Sequence, residues 1–246
     1  TDAGRRIRKA FLPREGAEFI DADYSQIELR ILAHISGDPV MQKAFNDDAD
    51  IHTTTASQVF HVDPREVTSL MRSRAKAVNF GIVYGISDYG LSQDLDIPRK
   101  EAKEYIDNYL HKFSGVHQFM EDIVETGKAQ GYVETLFHRR RYIPELAAKN
   151  FSVRSFGERV ALNMPIQGTA ADMMKKAMVA VYRKLKDEDL DAKLLLQVHD
   201  ELIIEADKKE GERVKKLLVE TMESALPLAI PVKVEVETGE NWYETK

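Results

Sequence analysis

Apolar and polar positions alternate most clearly near the two ends of the chain. "AEFIDADY" (Ala17 to Tyr24) places Phe19, Asp21 and Asp23 on one face of a strand and Ile20, Ala22 and Tyr24 on the other. The period then changes. In "SQIELRILAHIS", Ile27, Ile31 and Leu32 fall at helical spacing. From Asp38 to Gly131 the pattern is mostly helical, with breaks expected at Gly85, Gly90 and Pro98. "GYVETLFHRRRYIP" (Gly131 to Pro144) predicts a small hairpin or loop with a basic turn. "RVALNMPIQGTAADMMKKAMVAVYRKL" (Arg159 to Leu185) is a long helical pattern with an interruption expected near Pro165. "LLLQVHDELIIEA" (Leu194 to Ala206) predicts two strands around His199, Asp200 and Glu201. A helix follows over about Lys209 to Ala225, and "PVKVEVE" (Pro231 to Glu237) alternates as a last strand. Strands at both ends around a helical middle predict an α+β fold: a sheet built from the two ends, with a large helical insertion between.

Composition narrows the class. The chain has 246 residues, 43% hydrophobic and 31% charged, an ordinary globular mix with enough length for a substantial core. No apolar run approaches the ~18 residues of a membrane span, so no membrane partner is expected. No secretory signal pattern opens the chain, and cysteine is absent, which excludes disulfides and thiolate metal sites and fits a cytoplasmic protein. His/Cys spacing for zinc is also absent. The chain opens on Thr1 without an initiator Met, so a piece of something longer is expected.

The net charge of −6 argues mildly against nucleic acid as a partner, but its distribution argues back. Positive charge gathers in "RRIRK" (Arg5 to Lys9), "RSRAK" (Arg72 to Lys76) and "HRRRY" (His138 to Tyr142). Local patches of this kind, not the average charge, meet phosphates.

Four constellations carry candidate chemistry, each with a plain alternative. Asp21 and Asp23 share a strand face, where two carboxylates call for a cation or a water-filled cleft. Ser25 with Glu28 three residues on has the form of a capping box, which alone would account for both. His199–Asp200 is a poor pair for a tight hairpin turn. It reads either as a longer exposed loop or as a turn projecting Asp200 and Glu201 toward Asp23. Two carboxylates sharing hard cations is what two-metal phosphoryl transfer requires. Arg72, Lys76, Phe80 and Tyr84 are four apart; the first three form a slowly turning helical stripe roughly 12 Å long. Such a stripe suits a triphosphate and its attached sugar or base; a half-exposed helix with solvated cations is the alternative. Gly81 inside that helix costs about 1 kcal/mol relative to Ala, which makes sense if something packs close; Gly85 reads as its stop. Arg159, Asn163 and Gln167 are again four apart, suited to minor-groove and backbone contacts or simply to solvent.

"DYSQIELR" (Asp23 to Arg30), "RSRAKAVNFGIVYG" (Arg72 to Gly85) and "QVHDELIIE" (Gln197 to Glu205) together resemble motifs A, B and C of bacterial family A DNA polymerases, in the right order. "RVALNMPIQGTAAD" and "GENWYETK" are similar too, so the resemblance covers essentially the whole chain. It implies an antiparallel palm sheet flanked by helices, with palm at 1–31 and 151–246 and fingers at 32–150. It implies a DNA-directed DNA polymerase, with two Mg²⁺ ions held by Asp23, Asp200 and the carbonyl of Tyr24, and with Glu201 in support. Glu28 would exclude a ribose 2′-hydroxyl. Gln26, Arg72 and Lys76, with His52 nearby, would bind the incoming dNTP. Phe80 would pack on its sugar and Tyr84 beside the nascent pair. Arg159, Asn163, Gln167 and His199 would contact primer-template DNA. Family members carry a nuclease part, an exonuclease-like domain and a thumb upstream; this chain is expected to begin inside the palm and to act as a monomer. Two other readings stay open: a thumb-less fragment that binds nucleotide and DNA without efficient turnover, and a metal-dependent nuclease.

Overall fold

The computed structural model describes residues 2–245. In chain order the elements are α1 (Asp2–Ile7), β1 (Ala17–Tyr24), α2 (Ile27–Ser36), α3 (Pro39–Asn46), α4 (Ile51–Phe60), α5 (Ser69–Val83), α6 (Asp88–Leu95), α7 (Arg99–Lys112), α8 (Ser114–Gln130), β2 (Tyr132–Glu134), β3 (Arg140–Tyr142), α9 (Phe151–Asp187), β4 (Ala192–Val198), β5 (Glu201–Asp207), α10 (Gly211–Glu223) and β6 (Val234–Gly239). The fold is α+β. Two compact units divide it. One holds residues up to Ile27, Ala170–Pro227 and Val232 onward; the other holds Glu28–Thr169 and Leu228–Pro231.

The first unit is built on an antiparallel sheet of order β4-β5-β1-β6. Period-two alternation in β1 sends Ile20, Ala22 and Tyr24 to one face, opposite Ile204, Leu202, Val236 and Val234 of its neighbours. Helix α10 covers this face with Val214, Leu217, Leu218 and Met222, and the Tyr24 hydroxyl donates to the Met222 carbonyl at 2.7 Å. Each such fully buried aliphatic side chain contributes about 1.5–3 kcal/mol. The opposite face carries Asp21, Asp23, Glu201, Ile203, Glu235 and Glu237. The basic run at Arg5–Lys9 sits on the C-terminal segment. The Arg8 guanidinium lies 4.7 Å from the Trp242 ring, Lys9 lies 4.6 Å from Tyr243, and Phe11 meets Trp242 edge-on.

The second unit is helical around the β2–β3 hairpin. Its breaks follow side-chain caps: Asp38, Asp50, Thr68 and Ser87 each accept backbone N–H bonds at the start of α3, α4, α5 and α6. Gly90 is not a break; it lies inside α6. An added Cβ there would stand 2.9 Å from Ile86, so the glycine admits a close neighbour. Pro165 does not interrupt α9, which runs 37 residues through it. Proline removes one hydrogen bond, but Ala161, Met164 and Ile166 beside it are buried, and that packing outweighs the missing bond. The last strand starts at Val234, three residues later than the pattern predicts. The N–H of Ser25 is taken by the Lys233 carbonyl at 2.9 Å just before it.

Candidate functional site

In the first unit, register delivers the carboxylates. Asp23 pairs directly with Glu201, so both project from one face of the sheet. Val198 pairs with Glu201, leaving only His199 and Asp200 to turn the chain. The turn is therefore tight, not a long loop. His199 takes the left-handed conformation (φ 53°), and the Gln197 side-chain amide donates to the His199 carbonyl at 2.8 Å. The N–H of Tyr24 donates to the Asp200 carbonyl at 3.1 Å, which ties the turn to the end of β1. Burial, and then the charges of Asp23 and Glu201, raise the Asp200 carboxyl above the ordinary aspartate range. Asp23 and Glu201 thus lie close enough to the turn for their charges to be felt at Asp200. Among the described residues no group of three or more His, Asp or Glu side chains forms a ready-made metal cage. Asp23, Asp200 and the Tyr24 carbonyl are all hard oxygen donors. A short set of this kind suits Mg²⁺, which keeps waters and takes one or two carboxylates plus substrate phosphate.

Asp21 shares this face. It is 2% exposed, and the Thr245 hydroxyl donates to its Oδ2 at 3.1 Å. A hydroxyl from the C-terminal segment thus meets one of the two Asp21 carboxylate oxygens.

In the second unit, α5 carries the basic-aromatic stripe. Arg72 and Lys76 are exposed and Phe80 is half-buried. Arg72 Nε donates to Asp50 Oδ2 at 2.6 Å, while Asp50 Oδ1 caps α4 through the N–H groups of His52 and Thr53. His52 is 3% exposed, its Nδ1 is 2.9 Å from Asn79 Nδ2, and burial pulls its pKa down to about 4. Arg74, from the same basic run, is engaged by Tyr105 and Glu101. Tyr84 closes α5 and its hydroxyl donates to Glu28 Oε2 at 2.9 Å. Glu28 is thus joined to the stripe. Helix α2 starts at Ile27, so Gln26 (φ 55°), not Ser25, precedes its first turn; a capping box needs the other register. Along α9, Arg159 and Gln167 are exposed and Asn163 is half-buried, at the four-residue spacing that shares a helix face. Arg159 Cγ lies where a Cβ on Gly85 would stand 3.1 Å away.

A family model described as DNA polymerase family A matches residues 1–244. The chain belongs to DNA polymerase family A. It is 61% identical to DNA polymerase I of Bacillus subtilis (strain 168) and 57% to that of Bacillus caldotenax, over its full length in each case. It spans 28% of either relative's own length. A solved structure, the POL domain of Pol1 from M. smegmatis in complex with DNA primer-template and dNTP, matches with a TM-score of 0.95 and 46% identity. That match covers 100% of this chain and 43% of the other.

Sequence patterning alone missed two groups beside the basic-aromatic stripe of α5. Asp50 shows only a helix-start signal, an acidic residue before "IHTTT", and nothing in one dimension pairs it with Arg72. Asn79 lies among the buried positions Ala75, Val78 and Ile82, and a polar residue on an otherwise apolar face was the available signal.

Proposed function

We propose that the chain is the catalytic region of a template-directed DNA polymerase that adds deoxynucleotides to a primer 3′ end. The observation that carries this is the tight His199–Asp200 turn, which sets Asp200 and Glu201 against Asp23 in a chain whose α5 presents Arg72, Lys76 and Phe80 on one stripe. The match to a polymerase domain solved with primer-template and dNTP supports it.

In this reading Asp23 and Asp200, with the Tyr24 carbonyl, hold two Mg²⁺ ions, and Glu201 stands beside them. Bound there, the ions supply charge for in-line attack of the primer 3′-hydroxyl on the α-phosphate and for departure of pyrophosphate. Arg72 and Lys76 grip the triphosphate, Arg72 exchanging Asp50 for phosphate. Phe80 packs on the sugar. Gln26 assists nucleotide binding, and Glu28, held by Tyr84, blocks a 2′-hydroxyl. Arg159, Asn163, Gln167 and His199 meet primer and template. The palm comprises residues 1–31 and 151–246 and the fingers residues 32–150. A monomer in the bacterial cytoplasm completes the proposal; among the described residues no helix is long and apolar enough to cross a membrane.

Primer extension with Mg²⁺ and dNTPs tests it, with Asp200→Asn as the dead control. Because the chain spans little more than a quarter of its relatives, a second reading is kept: nucleotide and DNA binding without efficient turnover. It holds if extension is absent while labelled dNTP still binds in a Lys76-dependent way. Loss of primed DNA without dNTPs, abolished in Asp200→Ala, would instead indicate a nuclease. If Glu28→Ala leaves ribonucleotide exclusion intact, the blocking role of Glu28 is wrong.

A further inference from the structure

Helices α4 and α5 meet through a buried polar contact that the proposed chemistry does not use directly. Thr55 and Asn79 are fully buried and His52 nearly so. The Thr55 hydroxyl donates to Asn79 Oδ1 at 2.9 Å, and Asn79 Nδ2 approaches His52 Nδ1 at 2.9 Å. His52 and Thr55 are three residues apart on α4, so both reach one amide on α5. An amide has a carbonyl end and a donor end. Once Thr55 occupies the carbonyl end, the NH₂ end faces His52. An NH₂ donor needs a lone pair opposite it, so Nδ1 carries no proton and the neutral ring carries its single proton on Nε2. Three residues before Asn79 lies Lys76, and seven before it lies Arg72, which pairs with Asp50 at the start of α4. The imidazole therefore sits within the frame that holds the two cations.

We propose that Asn79, oriented by Thr55, is a positioning residue that fixes His52 as the neutral Nε2-protonated tautomer, making the ring a hydrogen-bond donor to a nucleotide phosphate and not a third cation. The nucleotide clause rests on the proposed role of Arg72 and Lys76; the tautomer clause does not. The groups bearing on the ring are Asp50, which favours its protonation, and Arg72 and Lys76, which oppose it; burial opposes it most. Phe80 flanks the ring at 6.0 Å between centroids.

Histidine-selective ¹⁵N labelling of the whole chain reads the ring nitrogens directly; there are seven histidines, and His52→Gln assigns the signal. The expected wild-type spectrum at neutral pH shows an unprotonated Nδ1 and a protonated Nε2 for His52. Asn79→Asp replaces the donor by an acceptor, and His52 then gains a proton on Nδ1. In that variant Mg²⁺–dNTP affinity changes about tenfold, a single phosphate hydrogen bond altered. Thr55→Val frees the amide to turn and mixes the tautomers, while Thr55→Ser restores the wild-type spectrum. This pair keeps the test open if Asn79→Asp does not fold. A wild-type Nδ1 that carries a proton, or a spectrum that Thr55→Val and Asn79→Asp leave unchanged, overturns the tautomer assignment. An altered spectrum with unaltered dNTP affinity overturns the nucleotide clause. If the wild type binds no dNTP and Lys76→Ala is equally silent, the polymerase reading fails and takes the nucleotide clause with it, while the spectra still decide the tautomer.

Discussion

At Asp200 burial acts together with the charges of two neighbouring carboxyls. Burial and the neighbouring Asp23 and Glu201 make its charge costly in the absence of a cation. Asp200→Asn is therefore expected to abolish primer extension while leaving thermal stability without Mg²⁺ equal to or above wild type, by melting in EDTA. A lower melting temperature would mean that the carboxylate is a structural group. His52 gives the opposite case. Its folded pKa of about 4 lies below the ordinary 6.5, so the unfolded chain takes up the proton first as pH falls. Its contribution is complete above about pH 6.5 and is lost between there and about pH 4. Urea unfolding at about pH 7 and about pH 4.5 should show a smaller acid loss in His52→Gln than in wild type. Equal losses would place the sensitivity elsewhere. Asp21 completes the scale. Thr245→Val removes a hydroxyl donor from a buried carboxylate and should cost about 1.5–3 kcal/mol in the same assay. No change would mean that other donors suffice.

Among the elements, the end of α5 shows how backbone geometry places the stripe. The Gly85 N–H bonds to the Ile82 carbonyl and the Ile86 N–H to the Gly81 carbonyl, with Gly85 at φ 66°. This paired pattern is a Schellman stop, and its hydrophobic contact comes from Ile86 folding back on the helix. A Cβ on Gly81 would stand 2.7 Å from Ile86 Cγ2, which identifies the close neighbour that a mid-helix glycine implies. Gly81→Ala should thus destabilise by about 1–3 kcal/mol despite alanine's better helix propensity. A stabilised variant would show that Ile86 gives way freely. Because Tyr84 is the last residue before this stop, the same change is expected to weaken the Tyr84–Glu28 contact and ribonucleotide exclusion with it. At the sheet, by contrast, β4 lies at the edge, with Leu195 and Leu196 44% and 41% exposed. Only β5, the inner strand of the hairpin, buries its apolar run. The two runs flanking His199–Asp200 look alike in sequence but differ in strand order, which periodicity does not carry.

For the molecule as a whole, the sequence by itself determined element type and which groups are candidates for the chemistry. Alternation in "AEFIDADY" and four-residue spacing from Arg72 to Tyr84 are local consequences of strand and helix geometry, so they survive in one dimension. So does the α+β class, whereas the one cap the pattern suggested, Ser25 with Glu28, is displaced by a helix that starts at Ile27. Tertiary structure alone decided the partnerships. Asp23 and Glu201 meet across 178 positions, Asp21 and Thr245 across 224, and Thr55 and Asn79 across 24. It also decided that Pro165 stays inside a helix and that Gly90 opens a packing space without ending one. These outcomes depend on which surfaces meet and how closely, and they arise from burial and satisfied hydrogen bonds between distant segments, not from local preference.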